Sequence, residues 1–470
     1  MRSRIAAQAW VGLAQLRHRL LNDLIFQATV LTFGAQFLGQ VIRLGSSLIM
    51  TRLLVPEMFG LMSLVMMIQV TLSLLSDVGL RVAVIQSPRG DDATLLNTVW
   101  TIQAIRGLVI WIVCVIIGGT LFVAARLGAL DPQAAWAAPE LPYVLVASAV
   151  SSAITGFQST KLITAGRNLT LFRVVVIEGV AQIGGLIVMI GLAVLTKSIW
   201  SLVAYTIVSS TITTALSHVY LPGITNHFAW DRNARAEILK FGAWILVSSS
   251  TFVLATNIDR ALLGALISAT ALGVYSIALT LSMVVDGLAS RLYESVVLPA
   301  MSESGRAGGE NLRDQLMRLR LPFDLWYVGA AGLIFALGPS LVSLLYDARY
   351  AEAGPMLQIL SFSLVFTRLF VFNMAYLATG RPHYQAVINA TKLVAVVILI
   401  PVLFEAHGLY GAIWAVALHP VATLPLYYLF NRELDLNDLT HEVLVLPAWP
   451  AGYLLGVALI EMLTLVTGSG

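Results

Sequence analysis

Seven basic side chains fall inside long apolar runs of this sequence: Arg43, Arg106, Arg173, Arg260, Arg291, Arg368 and Lys392. Acidic residues in the same setting are Asp77, Glu178, Asp259, Asp286 and Glu294, with Asp324 nearer the end of a run. A charge held at mid-bilayer costs on the order of 2.5–3.5 kcal/mol on insertion scales. A chain carrying this many must pair them or expose them to water. Spacing offers local partners to some: Asp77 with Arg81 and Arg291 with Glu294 share a helix face at i,i+4 and i,i+3. Arg106, Arg173 and Arg291 lie close to helix ends, where long side chains reach the interface. Arg43 and Arg368 fall near mid-span with no carboxylate on the same face. Lys392 has none either, though it lies nearer an end. Arg260 follows Asp259 directly, but neighbouring helical residues point away from one another.

The remaining set is Arg43, Arg260, Arg368 and Lys392, with Arg52 at the outer rim. Its chemistry is anion binding, because guanidinium forks match phosphate oxygens and a low dielectric strengthens the contact. The competing reading is interhelical pairing with Asp77, Asp259 or Asp286. For the set as a whole the wet cavity is favoured, since intramembrane ionisable groups are functional by default. Asn257, Asn373, Asn389, Gln36, Gln40 and Gln358 are in reach of sugar hydroxyls on this reading, although most polar groups in such helices join helix to helix. No catalytic constellation is present. There is no phosphate-binding GxxxxGK[ST] loop and no HExxH, the seven histidines are scattered, and no loop is long enough for a catalytic domain. The single Cys114 lies in an apolar run, which excludes internal disulfides and cysteine-only metal sites and leaves a packing role. No metal and no cofactor are expected, and a net charge of +3 is too small to suggest nucleic acid.

The elements that must position these charges follow from composition. The chain of 470 residues is 58% hydrophobic and 11% charged, against about a quarter charged in soluble domains. It is therefore a polytopic membrane protein. Apolar runs recur at 29–54, 57–80, 98–123, 142–164, 169–195 and 199–221. After the polar stretch FAWDRNARAEILK they resume at 242–266, 270–298, 321–346, 353–379, 383–404 and 408–430, and a last run covers 443–467. Backbone in lipid must satisfy its own hydrogen bonds, so these are helices; they are too long and too little alternating for barrel strands. The expected fold is all-α, a two-lobed bundle of 6+6 transmembrane helices plus one extra C-terminal helix. The expected divisions are an amphipathic surface helix at 1–28, an N-lobe at 29–221, a cytoplasmic linker at 222–241, a C-lobe at 242–430 and a tail at 431–470. The basic leader MRSRIAAQAWVGLAQLRHRLLNDL lacks a clean apolar core and cleavage site, so it is read as an interfacial helix rather than a signal peptide.

Lys and Arg concentrate on alternate loops. Arg2, Arg4, Arg17, Arg19, Arg81, Arg89, Lys161, Arg167, Arg232, Arg235, Lys240, Arg306, Arg313, Arg318, Arg320, Arg381 and Arg432 fall on one side, and Arg52, Arg126, Lys197 and Arg349 on the other. The positive-inside rule then puts the N-terminus in the cytoplasm and, with thirteen spans, the C-terminus outside. The two halves look related. Phe33-Gly34-Ala35 matches Phe241-Gly242-Ala243, Arg52 matches Arg260 at the same offset, and Gly60-Leu-Met-Ser63 matches Gly273-Val-Tyr-Ser276 after a short insertion. Six helices per half make the repeat parallel, which fits a transporter with a central cavity.

The residues TRLLVPEMFGLMSLV and LLSDVGLRVAVIQ resemble the polysaccharide transporter branch of the MOP exporter superfamily, the Wzx-like oligosaccharide flippases. So do LFRVVVIEGVAQIGG with SIWSLVAY, KFGAWILVSSSTFVLATNIDRALLG, ALGVYSIALTL, VVLPAMSES and the ATGRPHY turn. Together they cover nearly all of residues 30–430 in family order. The resemblance implies a MATE-like fold and no enzyme activity. It further implies alternating-access movement of a polyprenyl-diphosphate-linked oligosaccharide to the outer leaflet of a bacterial inner membrane, for surface or exopolysaccharide assembly. The expected partners are the lipid-linked substrate, membrane lipids and the polysaccharide polymerase and export machinery, and, on the reading of the buried carboxylates, a proton or sodium ion coupled through Asp77, Asp259 or Asp286. Two alternatives stand beside it. A cation-coupled multidrug exporter of the same fold would favour an acidic, aromatic cavity, against the basic excess here. A membrane glycosyltransferase or polymerase needs paired carboxylates on a sizeable outer loop. Many relatives have fourteen helices. Glu433, Asp435 and Asp438 before the last run, and Pro447 and Pro450 within it, stand against reading that run as a simple crossing.

Overall fold

Proline and glycine punctuate a chain that is otherwise helix after helix. The computed structural model describes residues 34, 38–167, 170–292 and 312–467, and its regular elements are all helical. The expected surface helix at 1–28 and the Arg291–Glu294 pair lie outside the described residues or side chains. Helix α1 (38–53) stops two residues before α2 (Pro56–Leu75), which opens on a proline. A proline there sacrifices only an amide that has no helical partner. The helices that follow are α3 (Leu80–Gln86), α4 (Ala93–Arg126), α5 (Leu141–Gly156), α6 (Lys161–Arg167), α7 (Leu171–Thr196), α8 (Trp200–Val219) and α9 (Arg232–Leu266). Next come α10 (Ala269–Leu292), α11 (Leu312–Leu345), α12 (Ala353–Thr367), α13 (Val371–Ala378), α14 (Pro382–Leu418), α15 (Leu424–Glu433), α16 (Leu439–Val445) and α17 (Ala448–Thr467).

Among the described residues, nine helical stretches are long and apolar enough to cross a membrane, or ten if α5 and α6, bent by 61°, count as one broken span. The protein is a multi-pass, all-helical membrane protein. One of those stretches, Pro382–Glu433, holds both of the runs expected at 383–404 and 408–430; Gly408, at φ +64°, breaks the helix between them. The run expected at 29–54 begins outside the described residues, and the one at 242–266 is the second part of α9. The last run is divided between α16 and α17, and Leu439–Met462 is long enough to span.

Two sequence expectations are corrected. The run at 57–80 is not one helix, because α2 ends at Leu75 and Gly79 turns the chain at φ +63°. The Asp77 carboxylate caps that turn, accepting the Gly79 amide at 3.0 Å, so Asp77 and Arg81 do not share a helix face. The run at 142–164 bends at Phe157–Thr160. Gln103 crosses from α4 to the bend and donates to the carbonyls of Thr155, Gly156 and Gln158 at 3.1–3.3 Å, answering the orphan acceptors of the helix end.

Contacts divide the chain into two compact units. The first comprises Met1–Leu53, Ser76–Gly119 and Pro142–Leu246. Its core joins Leu80, Val84, Leu95, Leu96, Val99, Ile163 and Ala234, and Cys114 is buried and unpaired. An extended strap at 221–231 runs over this unit. Asn226 accepts from the Ser159 hydroxyl at 2.7 Å and the Thr160 amide at 3.1 Å, and donates to the Thr160 hydroxyl at 2.7 Å. The amides of His227 and Ala229 donate to Asn97 and Thr101 of α4 at 3.1 and 3.0 Å.

The second unit comprises Leu54–Leu75, Thr120–Leu141 and Val247–Gly470. Helices α2 and α10 cross on Gly60 and Gly273, where backbones touch. A Cβ on Gly60 would lie 1.9 Å from the Ala269 carbonyl oxygen, and one on Gly273 1.8 Å from that of Pro56. Helices α11 and α17 form a similar seam. A Cβ on Gly332 would lie 2.0 Å from the Trp449 oxygen, and one on Gly452 2.0 Å from the Gly329 oxygen. Small residues let membrane helices approach this closely, which is where packing energy comes from when lipid removes the hydrophobic drive.

Candidate functional site

Each unit carries its own charged residues within its apolar helices. In the first unit Arg43 is exposed on α1. Its Nε lies 3.4 Å from the Gly39 carbonyl one turn back, and Gln182 of α7 donates to the same carbonyl at 3.1 Å. The Tyr205 hydroxyl of α8 is within electrostatic reach of the guanidinium. No carboxylate among the described residues forms an ion pair with Arg43. Arg52 is exposed in the last turn of α1. Arg106 donates to the Ser76 hydroxyl at 3.0 Å and feels the Asp77 charge, while Arg173 lies over the Tyr220 ring.

In the second unit Asp259 and Arg260 part company, as adjacent helical residues do. Asp259 is buried, and its Oδ2 accepts the Tyr275 hydroxyl of α10 at 2.6 Å. Its Oδ1 is also buried and takes no hydrogen bond among the described residues. Arg260 donates to Asn257 one turn back at 2.7 Å, with no ion pair among the described residues. Asp286 accepts the Tyr327 hydroxyl of α11 at 2.9 Å and lies within electrostatic reach of Lys392 on α14. His419 feels both Lys392 and Asp259. Helices α9, α10 and α14, with the turn that follows α14, thus bring Asp259, Asp286, Lys392 and His419 into one electrostatic neighbourhood.

Arg368 has a different setting. Its NH1 lies 3.1 Å from Asp324 of α11 and its NH2 2.5 Å from Glu442 of α16. Arg320 closes the set, 2.7 Å from Asp324 and 2.6 Å from Glu442, with its guanidinium 4.5 Å from the Phe372 ring centre. His441 joins Asp324 at 3.0 Å. Arg320 and Asp324 are 1% and 0% exposed, so that pair is dry, while Glu442 is partly open; the two arginines are matched by two carboxylates. The same-face search failed for Arg368 because its partners come from other helices. With its charge matched inside the bundle, we leave it out of the site proposed below.

Sequence reasoning missed Tyr275, Tyr327, Glu442, His441 and His419. Tyrosines and histidines in apolar runs carry no spacing signal, and the partners of Tyr275, Tyr327, Glu442 and His441 lie on other helices. The polar side chains also divide. Asn257 serves Arg260, Gln358 donates to the Phe335 carbonyl at 2.8 Å, and Asn373 is buried beside the Tyr427 hydroxyl. Gln36 lies outside the described residues. No cluster of three or more metal-binding side chains occurs among the described residues.

A family model described as polysaccharide biosynthesis protein matches residues 49–319, more than half of the chain. The chain belongs to that polysaccharide biosynthesis family. No curated protein matches it. Among solved structures, the lipid II flippase MurJ in an inward closed conformation is similar at TM-score 0.67 and 12% identity, over 92% of this chain and 99% of that one. An inward-facing multidrug resistance MATE transporter of the MOP superfamily matches at TM-score 0.64 and 15% identity, over 84% and 94% of the two chains. A mutant of the Vibrio cholerae MATE transporter VcmN matches at TM-score 0.54 and 16% identity, over 88% and 98%. The family member described here therefore has the fold of the MATE transporters and of MurJ.

Proposed function

We propose that this protein is a flippase that moves a polyprenyl-diphosphate-linked oligosaccharide from the inner to the outer leaflet of a bacterial inner membrane, with its N-terminus in the cytoplasm. The observation carrying this reading is Arg43, a cation on an apolar helix with no carboxylate paired to it among the described residues. Arg260 and Lys392 extend the basic character to the second unit. Cations held in a low dielectric suit a diphosphate or acidic sugars and disfavour cationic drugs. The polysaccharide family and the likeness to a lipid II flippase fold support an oligosaccharide cargo. Asp259 suits the role of coupling site, because a buried carboxylate with one oxygen open to a proton or sodium ion is where such an ion is bound.

The experiment is complementation of a deletion strain, with surface or secreted polysaccharide measured alongside the lipid-linked intermediate inside the cell. Arg43→Ala and Arg260→Ala are each expected to cut export about tenfold at normal expression, the loss of one charged contact of about 1.4 kcal/mol. Wild-type export by both variants would overturn the anion-binding role. Asp259→Asn is expected to remove the dependence of export on the coupling ion.

A further inference from the structure

A polar cleft of the second unit shares none of its lining with these charges, although Asp438 caps the helix that carries His441 and Glu442. Arg313, Tyr428, Arg432, Asp435, Asn437 and Asp438 line it, and it encloses about 390 Å³. Three apolar stretches stop at its edge: one begins at Leu316, one ends at Glu433 and one begins at Leu439. The cleft therefore lies at a membrane boundary, where helix ends leave the hydrocarbon. Its lining carries both signs. Arg313 is 3.8 Å from Asp435 and 3.9 Å from Asp438, and donates to the Asn437 carbonyl at 3.3 Å. Those ion-pair distances are too long for direct hydrogen bonds; Asp438 gives Oδ1 to the His441 amide at 3.0 Å as the cap of α16, which leaves its Oδ2 and the exposed Asp435 carboxylate for a ligand. Arg432 is exposed beside them. Immediately next to the cleft, α16 turns Leu439, Val443 and Leu444 outward, 77%, 65% and 59% exposed. Large apolar side chains this open at a membrane boundary lie against acyl chains.

We propose that this cleft seats the head group of a zwitterionic phospholipid bearing a primary amine, of the phosphatidylethanolamine class. The phosphate lies against Arg313 and Arg432, the ammonium against Asp435 and Asp438, and the acyl chains run along Leu439, Val443 and Leu444. The amphoteric lining selects this head group. An anionic head group would satisfy the arginines while leaving two carboxylates facing like charge. A choline head group has no N–H to donate to them. The site holds a resident membrane lipid, so it stands or falls independently of the cargo.

The test is reconstitution in vesicles of equal phosphatidylethanolamine, phosphatidylglycerol and phosphatidylcholine. Extraction into mild detergent follows, and native mass spectrometry identifies the retained lipid. Two variants are informative. Arg432→Gln removes an exposed cation. Asp435→Asn removes a carboxylate at φ +54°, a conformation that asparagine adopts readily, so the backbone is undisturbed. Wild type is expected to retain the ethanolamine lipid selectively. Each variant should lose that retention about fivefold, as for one solvent-facing charge contact, and Asp435→Asn should shift retention toward phosphatidylglycerol. Equal retention of the three lipids by wild type, preference for phosphatidylglycerol, or unchanged ethanolamine-lipid retention in both variants would overturn the site.

Discussion

Gly60 and Gly273, aligned with each other when the two halves of the chain are compared, meet face to face where α2 crosses α10. The contact is reciprocal: Gly60 lies against the carbonyl of Ala269 and Gly273 against that of Pro56, each four residues before the opposite glycine. The aligned residues touch, in the manner of a self-complementary interface.

This crossing has no room for a methyl group. Gly60→Ala and Gly273→Ala are each expected to cost about 1–3 kcal/mol, the penalty of overpacking. Gly119→Ala, at a helical glycine with nothing within 4 Å of the added carbon, is expected to be neutral or to stabilise by about 0.5–1 kcal/mol. Thermal unfolding in detergent distinguishes them; equal melting temperatures for the three would refute the close contact.

The buried network around Asp324 makes a second prediction. Asp324→Asn leaves two arginines, Arg320 and Arg368, sharing the one carboxylate of Glu442, so one buried cation is uncompensated and the protein should be destabilised by about 3–5 kcal/mol. The combination Arg320→Met with Asp324→Leu should be milder than Asp324→Asn, because no lone charge remains between those two positions. Folded yield and melting temperature check both. A double variant worse than the single one would mean that the network contributes more than charge balance.

The strap at 221–231 is held by side-chain hydrogen bonds together with the apolar contacts of Leu221, Ile224 and Phe228. Asn226→Ala leaves the Thr160 amide and two hydroxyls without their partner, at a cost of about 1–3 kcal/mol for buried groups. The change should be local. Limited proteolysis is expected to cut between residues 221 and 231 faster in the variant while the melting temperature barely moves.

One turn gives a pH prediction. Asp92 accepts the Thr94 amide at 2.9 Å and pairs with Arg89 at 2.5 Å. The Arg89 hydrogen bond, followed by that from Thr94, holds its carboxyl below the ordinary value of 3.8. A depressed carboxylate stabilises fully above its unfolded value, and the contribution is lost as pH falls through the lower folded value. The start of α4 should therefore stay closed through mild acid and open only below about pH 3.8. Hydrogen exchange at the Thr94 amide reports this. Asp92→Asn keeps the cap and should abolish the pH dependence.

Helix positions were legible because lipid forces apolar length and internally satisfied backbone. Breaks were less so. Pro56 announced its turn, but nothing in LLSDVGLR distinguished a helix carrying an Asp77–Arg81 pair from a break capped by Asp77 until Gly79 was seen at positive φ. The ATGRPHY turn was recognised as a motif, and its chemistry came from the structure. Gly380 turns at φ +72°, Arg381 pairs with Glu433 at 2.5 Å, and Tyr384 stacks on Phe430 with ring centres 4.0 Å apart. The charges were found from sequence because they are conspicuous in apolar runs. Their partners were not, since Arg368 and Asp324 are 44 residues apart and Arg368 and Glu442 are 74 apart.

The glycine seam between α11 and α17 carries a mechanical corollary. Two helices whose peptide planes abut cannot slip or roll past one another without collision, so the terminal helix is bolted to its neighbour as a stiffener. Whatever tilt α11 undergoes, α17 must share. The seam leaves no joint between the two helices.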